Sequence, residues 1–404
     1  MPLVVQKYGG TSVADPDRMR AVADHIARTH RNGADVVVVV SAMGKETDEL
    51  IRLASDVSGV HPGREMDMLI TAGERKSMAL LVMALSELGV DALSFTGSQA
   101  GIITDETHTK AKIVEMRPER IREALSRNQV PVVGGAQGMS TARDVTFLGR
   151  DASDITGVAL AQALGADHCE LYTDVSGVFT ADPRLVPTAR KIPQLSFEEM
   201  LEMCAVGCPK PAMRSVEFAR NHKVPLHVRS SFTWEPGTWI REEDPTMEQP
   251  IISAVISDSS EAKITVNGVA DKPGIAARLF RALADSHVNV DMIVQNVSVH
   301  GVTDISFTVP KSDVEMSLRV ASDLKGEIGA TDVLADAQIA RVSLIGAGMK
   351  THPGVAAKMF ETLADEGVNI DMISTSPIRI SCVVRDHQVE QAVQVLHSAF
   401  ELER

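Results

Sequence analysis

The chain has 404 residues, 44% of them apolar and 23% charged, and a formal net charge of −14. This is ordinary globular composition, long enough for two or three domains. So acidic a balance repels phosphate backbones and anionic lipid, which argues against nucleic acid or membrane surfaces as partners.

No apolar run reaches spanning length and the start, MPLVVQKYGG, lacks a signal-peptide pattern, so a cytoplasmic protein is expected. Aromatic residues make up only 3%. The core must therefore be built from Val, Leu, Ile, Ala and Met, which suits α/β layers. The four cysteines, Cys169, Cys204, Cys208 and Cys382, form no CxxC pair and show no metal-ligand spacing with His. They read as small apolar residues in a reducing compartment, and no metal site is expected from them.

Along the chain, residues 2–6 read as a buried strand followed by the Gly9-Gly10 turn. A helix is expected from Asp15-Pro16, a capping residue before a first-turn proline, to Asn32-Gly33. The Val run at 35–41 reads as a strand covered on both faces. Strand-like runs recur at 92–96, 131–134 and 169–173 with helical stretches between them, the pattern of a parallel α/β sheet. From 232 to 250 the sequence is Pro-rich, acidic and aperiodic, and reads as a linker or domain edge.

Beyond it lies an internal repeat. Residues 271–293, DKPGIAARLFRALADSHVNVDMI, match residues 351–373, THPGVAAKMFETLADEGVNIDMI, at an offset of 80 without a gap. A duplicated module is implied, and the order of turn, amphipathic helix and short strand suits a βαββαβ unit.

Five segments carry chemistry. KYGGTS (7–12) places Lys7 at a strand end and two glycines where backbone can approach a phosphate. In SAMGKETDEL (41–50), Ser41 and Thr47 offer hydroxyls at a strand-to-helix junction, with helix capping by Thr47 or Asp48 an equal reading. TAGERKS (71–77) offers Glu74, a residue type that is usually solvated on a helix. TFLGRDASDIT (146–156) offers the planar fork of Arg150, and Ser153 and Asp154 at a helix start, where either also suits an ordinary cap. YTDVSGVFTADPR (172–184) places Thr173-Asp174 and Arg184 where they can meet a nucleotide, with a plain turn-rich loop as the other reading.

In order, these segments with FTGSQAG (95–101), GGAQG (134–138), RSVEFAR (214–220) and STSPIRIS (374–381) resemble the aspartate kinases of the amino acid kinase family, and the duplicated modules resemble ACT domains. The resemblance spans essentially the whole chain. It implies a three-layer αβα kinase domain with a mostly parallel sheet at 1–245, a linker strand and first ferredoxin-like ACT domain at 246–340, and a second at 341–404. It implies ATP and Mg2+, with the β-carboxylate of L-aspartate as acceptor and 4-phospho-L-aspartate as product. Lys7 and the Gly9-Gly10 amides would stabilise the transferring phosphoryl group, and Asp154 would organise Lys7 and Mg·ATP. Glu74 would hold the substrate ammonium, and Arg150 its α-carboxylate, with Ser41, Thr47 and Ser153 nearby. Thr173, Asp174, Phe179, Asp182, Arg184 and Lys210 would line the nucleotide site. Asp271, Gly274, Ile275, Gln295, Asn296, Asn369 and Ile370 would bind a regulatory amino acid, lysine or threonine. A homo-oligomer, dimeric through the ACT domains, is expected.

The sequence departs from the family's usual pattern in places. Family members usually carry GRGGSD where this chain has Gly149-Arg150-Asp151-Ala152-Ser153-Asp154. Side chains at 151 and 152 would obstruct a backbone needing φ > 0. Asp151 also adds a negative charge where two anions must meet. At ~4 Å and an effective dielectric of about 20, that repulsion is roughly 4 kcal/mol before screening, enough to abolish useful aspartate binding unless a cation compensates. Pro209 stands where a lysine is usual, with Lys210 displaced by one and Pro211 beyond; Ala136 replaces a usual Phe and Ser176 a usual Asp. These changes leave an altered acceptor and a catalytically impaired effector-binding subunit as alternatives to a working aspartate kinase.

Overall fold

The computed structural model describes residues 1–242, 251–295 and 301–404, apart from the side chains of Lys350 and Thr351. They divide into two compact units: residues 1–178, 191–204 and 209–242 form one, and residues 179–190, 205–208 and those from 251 onward form the other. Among the described residues, no helix is long and apolar enough to cross a membrane.

To Arg241 the chain runs β1 (Leu3–Tyr8), α1 (Pro16–Arg31), β2 (Asp35–Val40), α2 (Glu46–Val57), α3 (Gly63–Ile70), α4 (Ala72–Glu87), β3 (Ala92–Phe95), β4 (Ile102–Thr104), β5 (Ile113–Met116) and α5 (Glu119–Ser126). It continues through β6 (Val130–Gly134), β7 (Gln137–Ser140), β8 (Val145–Phe147), α6 (Ser153–Leu164), β9 (His168–Thr173), β10 (Gln194–Ser196), α7 (Phe197–Ala205), α8 (Met213–His222), β11 (Leu226–Ser230) and β12 (Thr238–Arg241). The main sheet has the order β10-β12-β11-β9-β1-β2-β6-β3. Its pairings are parallel except for the antiparallel β11–β12 pair. Five of the six residues of β2 are buried, as a Val run covered on both faces requires. Asp15 caps α1 by accepting from the Arg18 amide.

Alternation along β1 separates two faces. Tyr8 enters the core formed with α1 and α4, stacked on Tyr172 at 4.7 Å. Lys7 points the other way, where Gly157 of α6 leaves room for its side chain. A second, four-stranded sheet, β5-β4-β7-β8, was not legible in the sequence. The stretch after 232 also differs from a plain linker: β12 joins the main sheet with Thr238 and Ile240 buried. Its short alternation is hidden between Pro, Gly and acidic residues. Residues 243–250, the rest of the expected linker, lie outside the described residues.

From Ala254 the chain runs β13 (Ala254–Asp258), β14 (Glu261–Ala270), α9 (Ile275–Asp285), β15 (Ile293–Gln295), β16 (Val302–Pro310), α10 (Val314–Ile328) and β17 (Asp332–Asp336). Then follow β18 (Ile339–Ile345), α11 (Val355–Asp365), β19 (Met372–Ser376), β20 (Arg379–Arg385) and α12 (Val389–Ala399). The first module is a βαββαβ unit with sheet order β15-β16-β14-β17. The second has the order β13-β18-β20-β19, so its fourth strand comes from upstream of the first module. Ile252 and Val255 bury their side chains in the second module's core, as do Ala181 and Val186 of the 179–190 segment.

Candidate active site

Three features build a cavity at the strand ends of the first unit. The first is the crossing after β1. The Gly9 amide donates to the Tyr172 carbonyl at 3.2 Å and the Gly44 amide to the Gly10 carbonyl at 3.0 Å, which holds the turn against β9 and against the loop after β2. A Cβ on Gly10 would stand 2.8 Å from the Ala42 carbonyl oxygen, so glycine is required by close approach. The second is the α6 start, where Asp154 receives Lys7 at 2.5 Å and the Ala212 amide at 3.3 Å. Lys7 and Asp154 are 7% and 3% exposed, so the ion pair is a buried one. The third is the first turn of α4, which buries Glu74.

The cavity has a volume of about 250 Å³. Of the expected residues, Lys7, Gly9, Gly10, Ser41, Thr47, Glu74, Arg150, Ser153, Thr173, Asp174 and Lys210 all line it. Thr47 does not cap α2, whose N-cap is Lys45, and Asp48 lies one residue further inside the helix. Ser153 and Asp154 likewise follow the N-cap of α6, Ala152. The capping alternatives therefore fall away, because each helix begins before these side chains.

Glu74 is far from a solvated helix residue. It is 3% exposed and its Oε2 has no hydrogen-bond partner among the described residues. Burial pushes its pKa up to about 7 against hydrogen bonds from the Glu74 and Ala42 amides, with Glu46 adding to the rise. A buried carboxylate with a free oxygen beside a cavity is prepared for a cation or an N–H donor.

The departures around 151 and 209 meet in this cavity. Asp151 has φ 57°, the left-handed region that Asp tolerates, whereas Ala152 has φ −78° and needs no glycine. Lys210 Nζ lies 2.6 Å from Asp151 Oδ1. The obstruction and the bare negative charge expected at 151 and 152 are therefore not realised: the displaced lysine supplies the compensating cation. Burial opposes both charges. Even so, Lys210, Lys7 and Arg150 hold the Asp151 pKa below its ordinary value, and Asp151, Asp154 and Asp174 hold that of Lys210 above.

Sequence reasoning missed Asp48 and Lys45 as cavity residues. Asp48 Oδ1 accepts from Arg150 Nη2 at 2.7 Å, across 102 residues of chain. Lys45 stood within the SAMGKETDEL segment, but its type alone does not mark it.

Phe179, Asp182 and Arg184 are not among the cavity-lining residues; they belong to the other unit, where Arg184 pairs with Asp182 at 2.6 Å. There too, Asp271, Gly274 and Ile275 form the turn into α9, with Gly274 at φ 95°. Gln295 ends β15 and is exposed, while Asn369 and Ile370 lie between α11 and β19. Asn296 lies outside the described residues.

A profile of the amino acid kinase family matches residues 2–230, and an ACT-domain profile matches residues 263–323 and 342–400. The chain is 55% identical to the aspartokinase of Mycolicibacterium smegmatis and 54% identical to that of Corynebacterium glutamicum, in each case over 100% of this chain and 97% of the relative. Among solved structures it is similar to E. coli aspartokinase III in complex with aspartate and ADP, at TM-score 0.82 and 25% identity over 98% of this chain and 99% of that one. It is also similar to the aspartate kinase of Synechocystis, at TM-score 0.56 and 41% identity over 99% of this chain and 69% of that one.

Proposed function

The chain belongs to the amino acid kinase family, as an aspartokinase-type member with paired ACT domains, and from that premise we propose that it transfers the γ-phosphoryl group of ATP to the β-carboxylate of L-aspartate, giving 4-phospho-L-aspartate. The observation that carries this reading is one cavity lined by both the Lys7 ammonium and the buried, partly unpartnered carboxylate of Glu74. The first suits a phosphoryl group and the second an amino acid's ammonium.

Lys7 and the Gly9-Gly10 amides stabilise the charge that develops on the transferring group, and Asp154 fixes the Lys7 side chain. Glu74 takes the ammonium and Arg150 the α-carboxylate, with Ser41, Thr47 and Ser153 completing the acceptor side. Thr173, Asp174 and Lys210 face the nucleotide; the resemblance assigns Phe179, Asp182 and Arg184 to it as well. The attacking β-carboxylate is already ionised at neutral pH, so no general base is needed. Positioning and charge neutralisation do the rest.

Among the described residues, no group of three or more His, Cys, Asp or Glu side chains is arranged to hold a metal. Mg2+ would be held chiefly by nucleotide phosphates, with Asp154 or Asp174 as the nearby carboxylates. When bound, Mg2+ would neutralise phosphate charge.

The division into 1–245, 246–340 and 341–404, a cytoplasmic location and a homodimer through the ACT modules complete the proposal. Asp271, Gly274, Ile275, Gln295, Asn296, Asn369 and Ile370 are the proposed effector residues. E. coli aspartokinase III, 26% identical, has been solved with lysine and aspartate, which supports lysine as the effector, with threonine the alternative. Because Lys210 meets the Asp151 charge, the motive for a different acceptor or an inactive subunit is removed.

The test is an acceptor panel with ATP and Mg2+, read as acyl phosphate trapped by hydroxylamine. Aspartate should give turnover and other amino acids should not. Turnover with another acceptor only, or amino-acid binding without any phosphoryl transfer, rejects the assignment.

A further inference from the structure

Resting on the nucleotide reading of the cavity, we propose that Asp151 is an internal competitor for the nucleotide: its carboxylate holds the Lys210 ammonium and must yield it as phosphate oxygens arrive. The left-handed backbone at 151 accompanies a carboxylate that lines the cavity with Lys7, Thr173 and Asp174. Lys210 Nζ, on the same wall, is 2.6 Å from it. The neighbouring cations already have carboxylates of their own: Lys7 has Asp154 at 2.5 Å, and Arg150 has Asp48 at 2.7 Å. Asp151 is therefore not required to balance them, and Lys210 is the cation it engages.

Lysine is a compact point charge rather than a planar fork. A polyphosphate that approaches it meets the Asp151 charge at short range. The carboxylate must turn away or be repelled, and the exposed side of the pair leaves it free to do so, with Asp151 61% exposed. The consequence is a looser grip on ATP and ADP alike. Because ground-state binding is weakened without touching Lys7, KM for ATP is raised and ADP leaves more readily.

Asp151→Asn keeps the size, removes the charge and tolerates the left-handed backbone. Calorimetry with ADP and with inorganic pyrophosphate should show each Kd falling about fivefold, the upper range for an exposed ion pair. KM for ATP should fall with them. Asp151→Glu, which keeps the charge, should stay within about twofold of the parent. Unchanged or weaker binding in Asp151→Asn overturns the proposal, since a carboxylate that merely positions Lys210 would weaken binding when neutralised. An equal gain in Asp151→Glu also overturns it, because the cause would then be the backbone. ADP binding needs no acceptor, so failure of the aspartate assignment shows separately in the panel. A parent protein that binds no ADP overturns the nucleotide reading, and this inference with it.

Discussion

Glu74 shows at the residue scale how a site is prepared at the expense of stability. Its pKa rises from 4.5 to about 7 on folding, chiefly through burial. For an acid raised in this way, the folded state binds more protons than the unfolded chain between those values. Stability is therefore fully present below about 4.5 and is lost as pH climbs to about 7. Glu74→Gln removes that loss and should stabilise the protein at pH 8 relative to pH 5, by on the order of 3 kcal/mol, read from urea midpoints at the two pH values. An ammonium pairs with the ionised form, so KM for aspartate should fall as pH rises from 6 to 8. The same substitution should flatten that profile and raise KM roughly 10- to 100-fold. A second prediction concerns Lys7. Replacing it with Met should lower kcat about 10²- to 10³-fold. It should also destabilise the fold by about 3–5 kcal/mol, because Asp154 is left buried without its cation. Steady-state kinetics and denaturant unfolding check the two parts separately.

At the scale of elements, the site is the meeting of three helix starts with the ends of a parallel sheet. The turn after β1 and the loop after β2 lie backbone against backbone, so that a Cβ on Gly10 would stand 2.8 Å from the Ala42 carbonyl oxygen and 3.0 Å from that of Gly44. Gly10→Ala should push the loop bearing Ser41, and with it the start of α2 that carries Thr47, outward, lowering stability by about 1–3 kcal/mol and raising KM for both ATP and aspartate. A rise for ATP alone would show that the two loops move independently. These elements were largely readable beforehand. The Val run, the Asp15-Pro16 start and the Gly-Gly turn each encode their structure within a few residues. β12 and the β5-β4-β7-β8 sheet were not, because strands of three or four residues carry too little alternation to rise above their Pro- and Gly-rich surroundings.

For the whole molecule, chain order and spatial order part company after residue 178. The 179–190 segment adds Ala181 and Val186 to the second module's core, and β13 completes that module's sheet from before the first module begins. Val255→Asp, at a fully buried position of β13, should therefore destabilise the second module. Amide exchange should show protection lost in β18 and α12 but retained in β14 and β16. Uniform loss in both modules would mean that they unfold as one.

The repeat of 80 residues and the strand–helix alternation could be read from local spacing, because periodicity and turn chemistry belong to short stretches of backbone, while the expected cavity residues were marked as a set by the family resemblance of their segments. The pairing of Asp151 with Lys210 across 59 residues, of Arg150 with Asp48 across 102, and the burial that moves Glu74 could not. Those depend on which distant side chains the fold brings within a few ångströms and on how much water it excludes, and neither is a property of any one segment.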